Sequence, residues 1–222
     1  MDQPFERLLV WEDPVARSGP ENMAVDEVLL EGLGEEVVLR IYGWEGDWVS
    51  LGYFQKLEEA RRVFAGEDVE FVRRMTGGGL VDHRADVTYT LLVPRGHGLA
   101  EARGKKSYRV IHGAVVEALR RAGVVARMVA EDGGGESPAC FEKAVAWDVV
   151  GADGRKMAGA GQKRGKAGLM HQGSVLGCGA VRGELGERLG REVVAWRPSE
   201  GVMGRVGGVC GKYESGEWVG RR

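Results

Sequence analysis

The spacing of apolar residues along the chain predicts many short strands and a few amphipathic helices. Helical spacing begins after Ser18 and ends near Gly32, recurs over residues 57–64, and is strongest over residues 108–122. Strand-like runs cover residues 8–11, 37–42, 48–53, 69–72, 87–93, 124–129, 144–150, 156–164 and 170–176. Strands outnumber helices and short turns join most neighbours. The pattern therefore predicts an α+β fold with a mixed, largely antiparallel sheet and packed helices.

The periodic pattern weakens after Arg182, where the chain is rich in glycine. Only a short helix near residues 184–189 is predicted there, and residues 180–222 as a whole are poorly patterned. A chain of 222 residues can bury one good core. We expect residues 1–222 to form a single domain.

Composition and charge exclude several classes of protein. Hydrophobic residues make up 43% and charged residues 29%, which is typical of a soluble globular protein. The 31 Lys and Arg residues do not exceed the 33 Asp and Glu residues, so no basic field indicates nucleic-acid binding. The acidic N-terminus is unlike a signal peptide, and no apolar run is long enough to span a membrane. Three cysteines without a Cys-x-x-Cys pair favour free thiols in the cytoplasm.

Three consecutive glycines, Gly77, Gly78 and Gly79, interrupt two strand-like runs. Arg73, Arg74 and Thr76 precede them. Bare amides in such a loop suit a carboxylate, a carbonyl or a phosphate, but the same glycines also suit a slack hairpin. The loop lies between two strands and not before a helix, so its context excludes a Rossmann fingerprint and a P-loop.

A cysteine and a lysine are candidates for catalysis. Cys140 follows a glycine-rich polar loop, where a thiol is either a nucleophile or a small buried apolar residue. Lys156 opens a strand after a turn, and small residues at 158–161 leave room for a ligand beside it. A lysine there either binds a carbonyl group or is simply exposed at the turn.

The four histidines differ in their surroundings. His83 and His171 lie in the segments already singled out and are candidate acid–base or polar-contact groups, whereas His97 and His112 have structural contexts. The histidines are far apart and no cysteines are paired, so no metal site is predicted. The chain contains no Gly-x-Ser-x-Gly motif of a serine nucleophile.

Four motifs in order make the chain resemble a known family. They are residues 21–27 (ENMAVDE), 49–55 (VSLGYFQ), 73–83 (RRMTGGGLVDH) and 154–164 (GRKMAGAGQKR), the last followed by HQGS at 171–174. The chain resembles the lipoate/octanoate branch of the biotin/lipoate ligase–transferase superfamily. Within that branch it is most similar to the octanoyltransferases with a Cys-Phe pair. The resemblance implies the catalytic fold of that superfamily.

The resemblance also implies an acyl-binding tunnel and its partners. Cys140 and Lys156 are the implied catalytic residues, and Lys156 contacts the acyl carbonyl. The implied acceptor is a lipoyl domain, either the glycine cleavage H protein or a 2-oxoacid dehydrogenase subunit, and the implied donor is acyl carrier protein. No cofactor is implied for a transferase. The substrate-binding residues expected on this basis are Arg73, Arg74, Thr76, Gly77, Gly78, Gly79, His83, Gly159, His171, Gly173 and Ser174.

Within the family the chain is either a transferase or a ligase. Ligases need ATP and Mg but no cysteine, and many carry a C-terminal domain for which the residues after the last motif leave little room. The Cys140-Phe141 pair upstream of Lys156 favours a transferase, as does Gln172 where ligases often have a second histidine. Cys178 and Cys210 are rival nucleophiles, each followed by glycine but lacking the proline of a second transferase subgroup.

Two further questions stay open, namely the register of the last motif and whether the chain is catalytic. A glycine at Gly161 departs from the family's Gly-Ser-Ala-Gln pattern, so the local register of the last motif is not fixed. A non-catalytic relative that binds acylated domains is a further alternative. A biotin ligase is disfavoured because its glycine- and arginine-rich adenylate loop is not found.

Overall fold

A computed structural model describes residues 3–102, 105–130 and 145–221. Eleven strands lie within these ranges: β1 (Phe5–Glu12), β2 (Val37–Tyr42), β3 (Trp48–Leu51), β4 (Glu70–Arg73), β5 (Val81–Asp82), β6 (Asp86–Pro94), β7 (Ala126–Met128), β8 (Val149–Gly151), β9 (Lys156–Arg164), β10 (Gly168–Leu176) and β11 (Gly190–Ala195). The same ranges contain eight helices: α1 (Gly19–Glu31), α2 (Leu57–Val63), α3 (Gly98–Glu101), α4 (Lys106–Arg121), α5 (Val181–Leu189), α6 (Glu200–Met203), α7 (Val206–Glu214) and α8 (Gly216–Val219).

Eight of the strands form one large sheet, in the order β11-β1-β2-β6-β10-β9-β8-β7. Strands β11, β1 and β2 run parallel. Each later pairing across this sheet is antiparallel. The predicted α+β class, with a mixed and largely antiparallel sheet, is therefore confirmed.

A second, three-stranded sheet carries the glycine loop. Its order is β4-β3-β5, and residues 74–80 connect β4 to β5. Val49, Leu51, Ala60 and Leu80 form a small core that packs α2 against this sheet. The glycine loop is therefore attached to a separate layer that faces the large sheet.

Helices cover both faces of the large sheet. The apolar face of α4 buries Ile111, Val115 and Leu119 completely, as its helical spacing predicts. Helix α1 packs on the opposite face with α7. Ser18 begins α1 with a capping box to Glu21, which explains why the predicted start is correct.

Two regions differ from the sequence prediction. The strand expected over residues 144–150 is reduced to β8, because the Asp148 carboxylate accepts the Val145 amide and closes a turn before it. Beyond Leu189, where the apolar pattern is weak, the chain forms β11 and the helices α6, α7 and α8. Strand β11 is an edge strand with mostly exposed residues, so it lacks the alternation that reveals a buried strand.

In the described part of the chain, no helix is long and apolar enough to cross a membrane.

Candidate active site

A narrow pocket lies between the large sheet and the three-stranded sheet. Small side chains and glycines on β9 and β10 form its floor, and β3 with the glycine loop forms the opposite wall. The residues that line it are Met23, Tyr42, Trp44, Ser50, Arg74, Gly78, Val81, His83, Thr88, Lys156, Gly159, Ala160, Gly161, Gln172, Gly173 and Ser174.

The pocket brings together many of the residues that the sequence singles out. Thr76, Gly77 and Gly79 support its wall from behind, whereas Arg73 and His171 point elsewhere. Cys140, the expected nucleophile, lies outside the described residues together with Phe141. Of the expected site residues, those in the lining are Arg74, Gly78, His83, Lys156, Gly159, Gly173 and Ser174.

Glycines on the surrounding strands let the glycine loop approach them closely. A Cβ atom at Gly52 would lie 1.8 Å from the carbonyl oxygen of Gly78. A Cβ atom at Gly161 would lie 2.3 Å from the carbonyl oxygen of Gly77. Gly161 departs from the family pattern, and the structure gives this departure a physical reason. The loop backbone rests directly on β9 at that position.

The Arg74 guanidinium holds the glycine loop in place from within. Its Nη2 donates to the carbonyl oxygens of Gly77 at 3.1 Å and Gly79 at 3.0 Å. Its Nη1 donates to the carbonyl oxygen and the hydroxyl of Ser50 at 2.9 and 2.6 Å. Arg74 therefore orients the loop and also places positive charge at the pocket wall.

The Thr76 hydroxyl joins the loop to the sheet floor. It donates to the Gln172 side-chain oxygen at 2.7 Å, and the Gln172 amide donates to Asp26 at 2.7 Å. Asp26 also accepts from Thr90 and pairs with the buried Arg40. A continuous buried polar network therefore links α1 to the glycine loop, and it fixes the orientation of the Gln172 side chain.

Arg73 has a structural role in place of the expected substrate contact. Its side chain is fully buried and is not part of the pocket lining. It donates to carbonyl oxygens of the β3–α2 connection and of α8, so it ties the C-terminal helix to the back of the loop. The acceptors are Gly52, Tyr53, Gln55, Trp218 and Val219.

A β-bulge at the start of β9 directs Lys156 into the pocket. Strict alternation from Gly159 would place Lys156 on the same face as Ala158, in the core beneath α4. Instead, the pairing of β8 with β9 shifts by one residue, and both Met157 and Ala158 pack against that core. Lys156 therefore returns to the opposite face and lines the pocket. Bulges beside active sites often redirect a side chain in this way.

Lys156 forms a buried ion pair with Asp148. Its Nζ lies 2.7 Å from Asp148 Oδ2, and the two side chains are only 3% and 6% exposed. A Cβ atom at Gly159 would lie 2.7 Å from the same Nζ, so Gly159 provides the space over which the lysine chain folds. A buried charge of this kind is costly unless it is paired, so Asp148 fixes the position of the Lys156 amine.

His83 links the pocket wall to the carboxylate of Asp86. Its Nε2 lies 2.6 Å from the Ser50 hydroxyl, and its Nδ1 lies 2.8 Å from Asp86 Oδ2. The imidazole stacks on Trp44, with ring centroids 3.9 Å apart. Ser174 also donates to Asp86 Oδ2, which connects this group to the floor of the pocket.

His171 lies on the far side of the sheet, against α4, and does not line the pocket. Its ring nitrogens lie 3.2 Å from the Tyr89 hydroxyl and 2.8 Å from Gln162 Nε2. Burial lowers the pKa of His171 well below its ordinary value, and His112 and Arg164 lower it further. His171 is therefore a neutral core residue, and not the substrate contact that its motif indicated.

Gly173 provides a flat stretch of the pocket floor. A Cβ atom there would lie 2.2 Å from the ring of Tyr89, which covers this position from the α4 side. Glycine is therefore required on β10, because a residue without a Cβ atom lets the Tyr89 ring pack directly against the strand.

The rival cysteines lie away from the pocket. Cys178 is buried in the apolar core under α4 and α5. Cys210 lies on α7, where burial and then the neighbouring Glu214 carboxylate raise its thiol pKa to about 11. A raised pKa disfavours the thiolate of Cys210, and the apolar core encloses Cys178, so neither position has the surroundings of a nucleophile.

The described residues contain no group of three or more His, Cys, Asp or Glu side chains that could hold a metal ion.

Comparison with known proteins identifies the family. Residues 18–188 match the model of the lipoyl protein ligase A/B catalytic domain. The chain is 35% identical over 168 residues to octanoyltransferase LipM of Geobacillus kaustophilus, which covers 70% of this chain and 60% of that protein. It is 34% identical to octanoyltransferase LipM of Bacillus subtilis, with the same coverage. The matches span about 60% of the length of these relatives.

Solved structures share the fold. A putative lipoate protein ligase from T. acidophilum has a TM-score of 0.75 at 22% identity, over 98% of this chain and 100% of that one. Lipoate-protein ligase A bound with ATP has a TM-score of 0.69 at 20% identity, over 96% of this chain and 98% of that one. The four motifs, the fold and the match over residues 18–188 agree, and the chain belongs to the lipoyl protein ligase A/B catalytic domain family.

Proposed function

We propose that this chain is an acyltransferase of protein lipoylation. It takes an octanoyl (or lipoyl) group from a thioester donor, holds it as a thioester on Cys140, and passes it to a lysine of a lipoyl domain. The proposed donor is acyl carrier protein. The proposed acceptor is the glycine cleavage H protein or a 2-oxoacid dehydrogenase subunit. The observation that carries the proposal is the buried Lys156–Asp148 pair, set beside the glycine loop in a pocket between two sheets.

The chemistry of the pocket suits acyl transfer. Lys156 donates hydrogen bonds to the acyl carbonyl oxygen, where negative charge develops when a nucleophile attacks. Cys140 sulfur bonds to the carbonyl carbon and the donor sulfur leaves, so one thioester replaces another. The amine of the acceptor lysine then displaces Cys140 sulfur and forms an amide. Neither step requires ATP, and no cofactor is proposed.

The surroundings of Cys178 and Cys210 favour Cys140 as the nucleophile, and the similar proteins favour a transferase over a ligase. Cys178 is enclosed in the apolar core, and the raised pKa of Cys210 disfavours its thiolate. The relatives at 34–35% identity are named octanoyltransferases. The ATP-bound ligase structure is only 20% identical and supports the fold alone.

The test is transfer of an octanoyl group from octanoyl-acyl carrier protein to a purified lipoyl domain, without ATP, followed by intact mass of the acceptor. We expect octanoylated acceptor with the wild-type chain. Cys140→Ala should abolish transfer, and the matched variants Cys178→Ala and Cys210→Ala should retain it. Lys156→Met should slow transfer by more than about 100-fold, the usual loss for one donor to an oxyanion.

Other outcomes of the same assay overturn the proposal. Product formed only from free octanoate or lipoate with ATP would make the protein a ligase. Transfer by Cys140→Ala at the wild-type rate would exclude the covalent scheme. Tight binding of the acylated domain without turnover would indicate a non-catalytic relative.

A further inference from the structure

Ser50, His83 and Asp86 form a hydrogen-bonded chain in the wall of the pocket. The Ser50 hydroxyl lies 2.6 Å from His83 Nε2, and His83 Nδ1 lies 2.8 Å from Asp86 Oδ2. Ser50 and His83 both line the pocket. A hydroxyl, an imidazole and a carboxylate joined in this way have the arrangement of a Ser-His-Asp triad. Such a triad is recognised by its geometry and the roles of its residues, and not by their positions in the sequence.

The partners of the imidazole define its tautomer. Asp86 Oδ2 accepts hydrogen bonds from Ser174 and Thr88, so as a carboxylate it also accepts a hydrogen bond from His83 Nδ1–H. His83 Nε2 then carries a lone pair, and the Ser50 hydroxyl donates to it. Asp86 also stabilises the imidazolium that forms when His83 accepts a second proton.

Arg74 and Trp44 hold the hydrogen-bonded side chains of Ser50, His83 and Asp86 in one arrangement. The Arg74 Nη1 donates to Ser50 Oγ at 2.6 Å. Because a guanidinium has no hydrogen-bond acceptor, the serine hydroxyl does not donate to it. Trp44 stacks flat on the imidazole and donates its indole N–H to Thr88 at 2.8 Å. The side chains of His83 and Asp86 are 3% and 0% exposed. The group is therefore ordered before any substrate binds.

Acyl transfer to a lysine requires a proton acceptor, and among the described residues that line the pocket His83 is the one with a basic nitrogen that can accept a proton. A lysine side chain with an ordinary pKa of about 10.4 is almost entirely protonated near neutral pH, and its ammonium form is not a nucleophile. Lys156 is paired with Asp148 and acts as a hydrogen-bond donor.

We infer that His83, positioned by Asp86 and acting through the Ser50 hydroxyl, is the base that deprotonates the acceptor lysine; this rests on the proposed acyl transfer. The acceptor ammonium gives one proton to Ser50 Oγ, while the Ser50 proton moves to His83 Nε2. The neutral amine attacks the thioester carbonyl, a C–N bond forms, and the C–S bond breaks. The amide nitrogen loses its second proton to the departing thiolate, and His83 returns its proton to water.

The test compares two acceptors that differ in their need for a base. Hydroxylamine is unprotonated at neutral pH, whereas the lysine of the lipoyl domain is protonated. With octanoyl-acyl carrier protein as donor, transfer to each acceptor is measured for His83→Gln, Ser50→Ala and Asp86→Asn, with an enzyme-free blank for hydroxylamine. His97→Gln, a histidine outside the pocket lining, is the matched control.

His83→Gln should reduce transfer to the lysine by roughly 10²- to 10³-fold more than it reduces transfer to hydroxylamine, as expected for loss of a general base. Asp86→Asn preserves side-chain size and should show the same selective loss if His83→Gln fails to fold. Equal loss with both acceptors, or no loss with lysine, would overturn the inference. A wild-type chain inactive with both acceptors would overturn the proposed function itself.

Discussion

Replacing Gly52 with alanine tests how the glycine loop is seated. The new Cβ atom would lie 1.8 Å from the carbonyl oxygen of Gly78 and 2.6 Å from its carbonyl carbon. Both are backbone atoms, so no side-chain rotation relieves the clash. The loop must move by at least about 1 Å, since overpacked cores relieve contacts this short by shifting backbone.

The cost follows from the bonds that hold the loop. The Gly52 amide donates to the Gly79 carbonyl at 3.2 Å, and Arg74 donates to the same carbonyl at 3.0 Å. Loss of one hydrogen bond to a charged group costs about 1.5–3 kcal/mol, and overpacking costs about 1–3 kcal/mol. We expect Gly52→Ala to lower the free energy of unfolding by about 2.5–6 kcal/mol, and the thermal midpoint by about 5–24 °C.

Urea unfolding followed by circular dichroism measures the change in the free energy of unfolding. The octanoyl-transfer assay measures the change in activity. A displacement of about 1 Å in a substrate-positioning group reduces turnover by roughly 10²-fold. Gly34→Ala is the control, because a Cβ atom there meets nothing within 4 Å. It should change the free energy of unfolding by less than about 0.5 kcal/mol. A Gly52→Ala protein with wild-type stability and activity would refute the close approach of the loop to β3.

Two further predictions concern the frame around the site. Arg73→Met removes the donor of the buried Gly52 carbonyl and of the part-buried Trp218 and Val219 carbonyls, so it should cost about 3 kcal/mol and expose the C-terminal helix to limited proteolysis. Unchanged stability and cleavage would contradict the structural role. Burial lowers the folded-state pKa values of His112 and His171, so stability is fully present above the unfolded value of about 6.5 and is lost as the pH falls below it. The free energy of unfolding should fall by at most about 2 kcal/mol from pH 6.5 to 5.5 in urea titrations, and a flat profile would show that both histidines protonate freely in the folded state.

The sequence predicts most of the sheet because its buried strands have strong apolar patterns. Strands β2 and β9 and helix α1 begin and end where apolar spacing, the capping box and glycine place them. Strand β11 and helix α7 escape prediction because they depend on contacts distant in sequence. Strand β11 pairs with β1 at the sheet edge, and α7 is glycine-rich and packs on α1 through Tyr213.

The site is predicted in part for a similar reason. Motifs identify the glycine loop and Lys156, but they cannot show that a bulge turns Lys156 into the pocket. Ser50 is missed because a small polar residue inside an apolar strand gives no signal until its partners are known. The motif does not show on which face of the strand a side chain lies, so it cannot show that His171 lies outside the pocket lining. Ser174 faces the pocket from the same strand, so a residue three positions earlier faces the opposite side.

The most direct test of the acyl-transfer account is the intact mass of the protein after incubation with octanoyl-acyl carrier protein alone, followed by peptide mapping. The account predicts a mass increase of one octanoyl group, labile to hydroxylamine and located on Cys140. An unmodified protein that nevertheless transfers the acyl group to a lipoyl domain, or an octanoyl group located on Cys178 or Cys210, would contradict it.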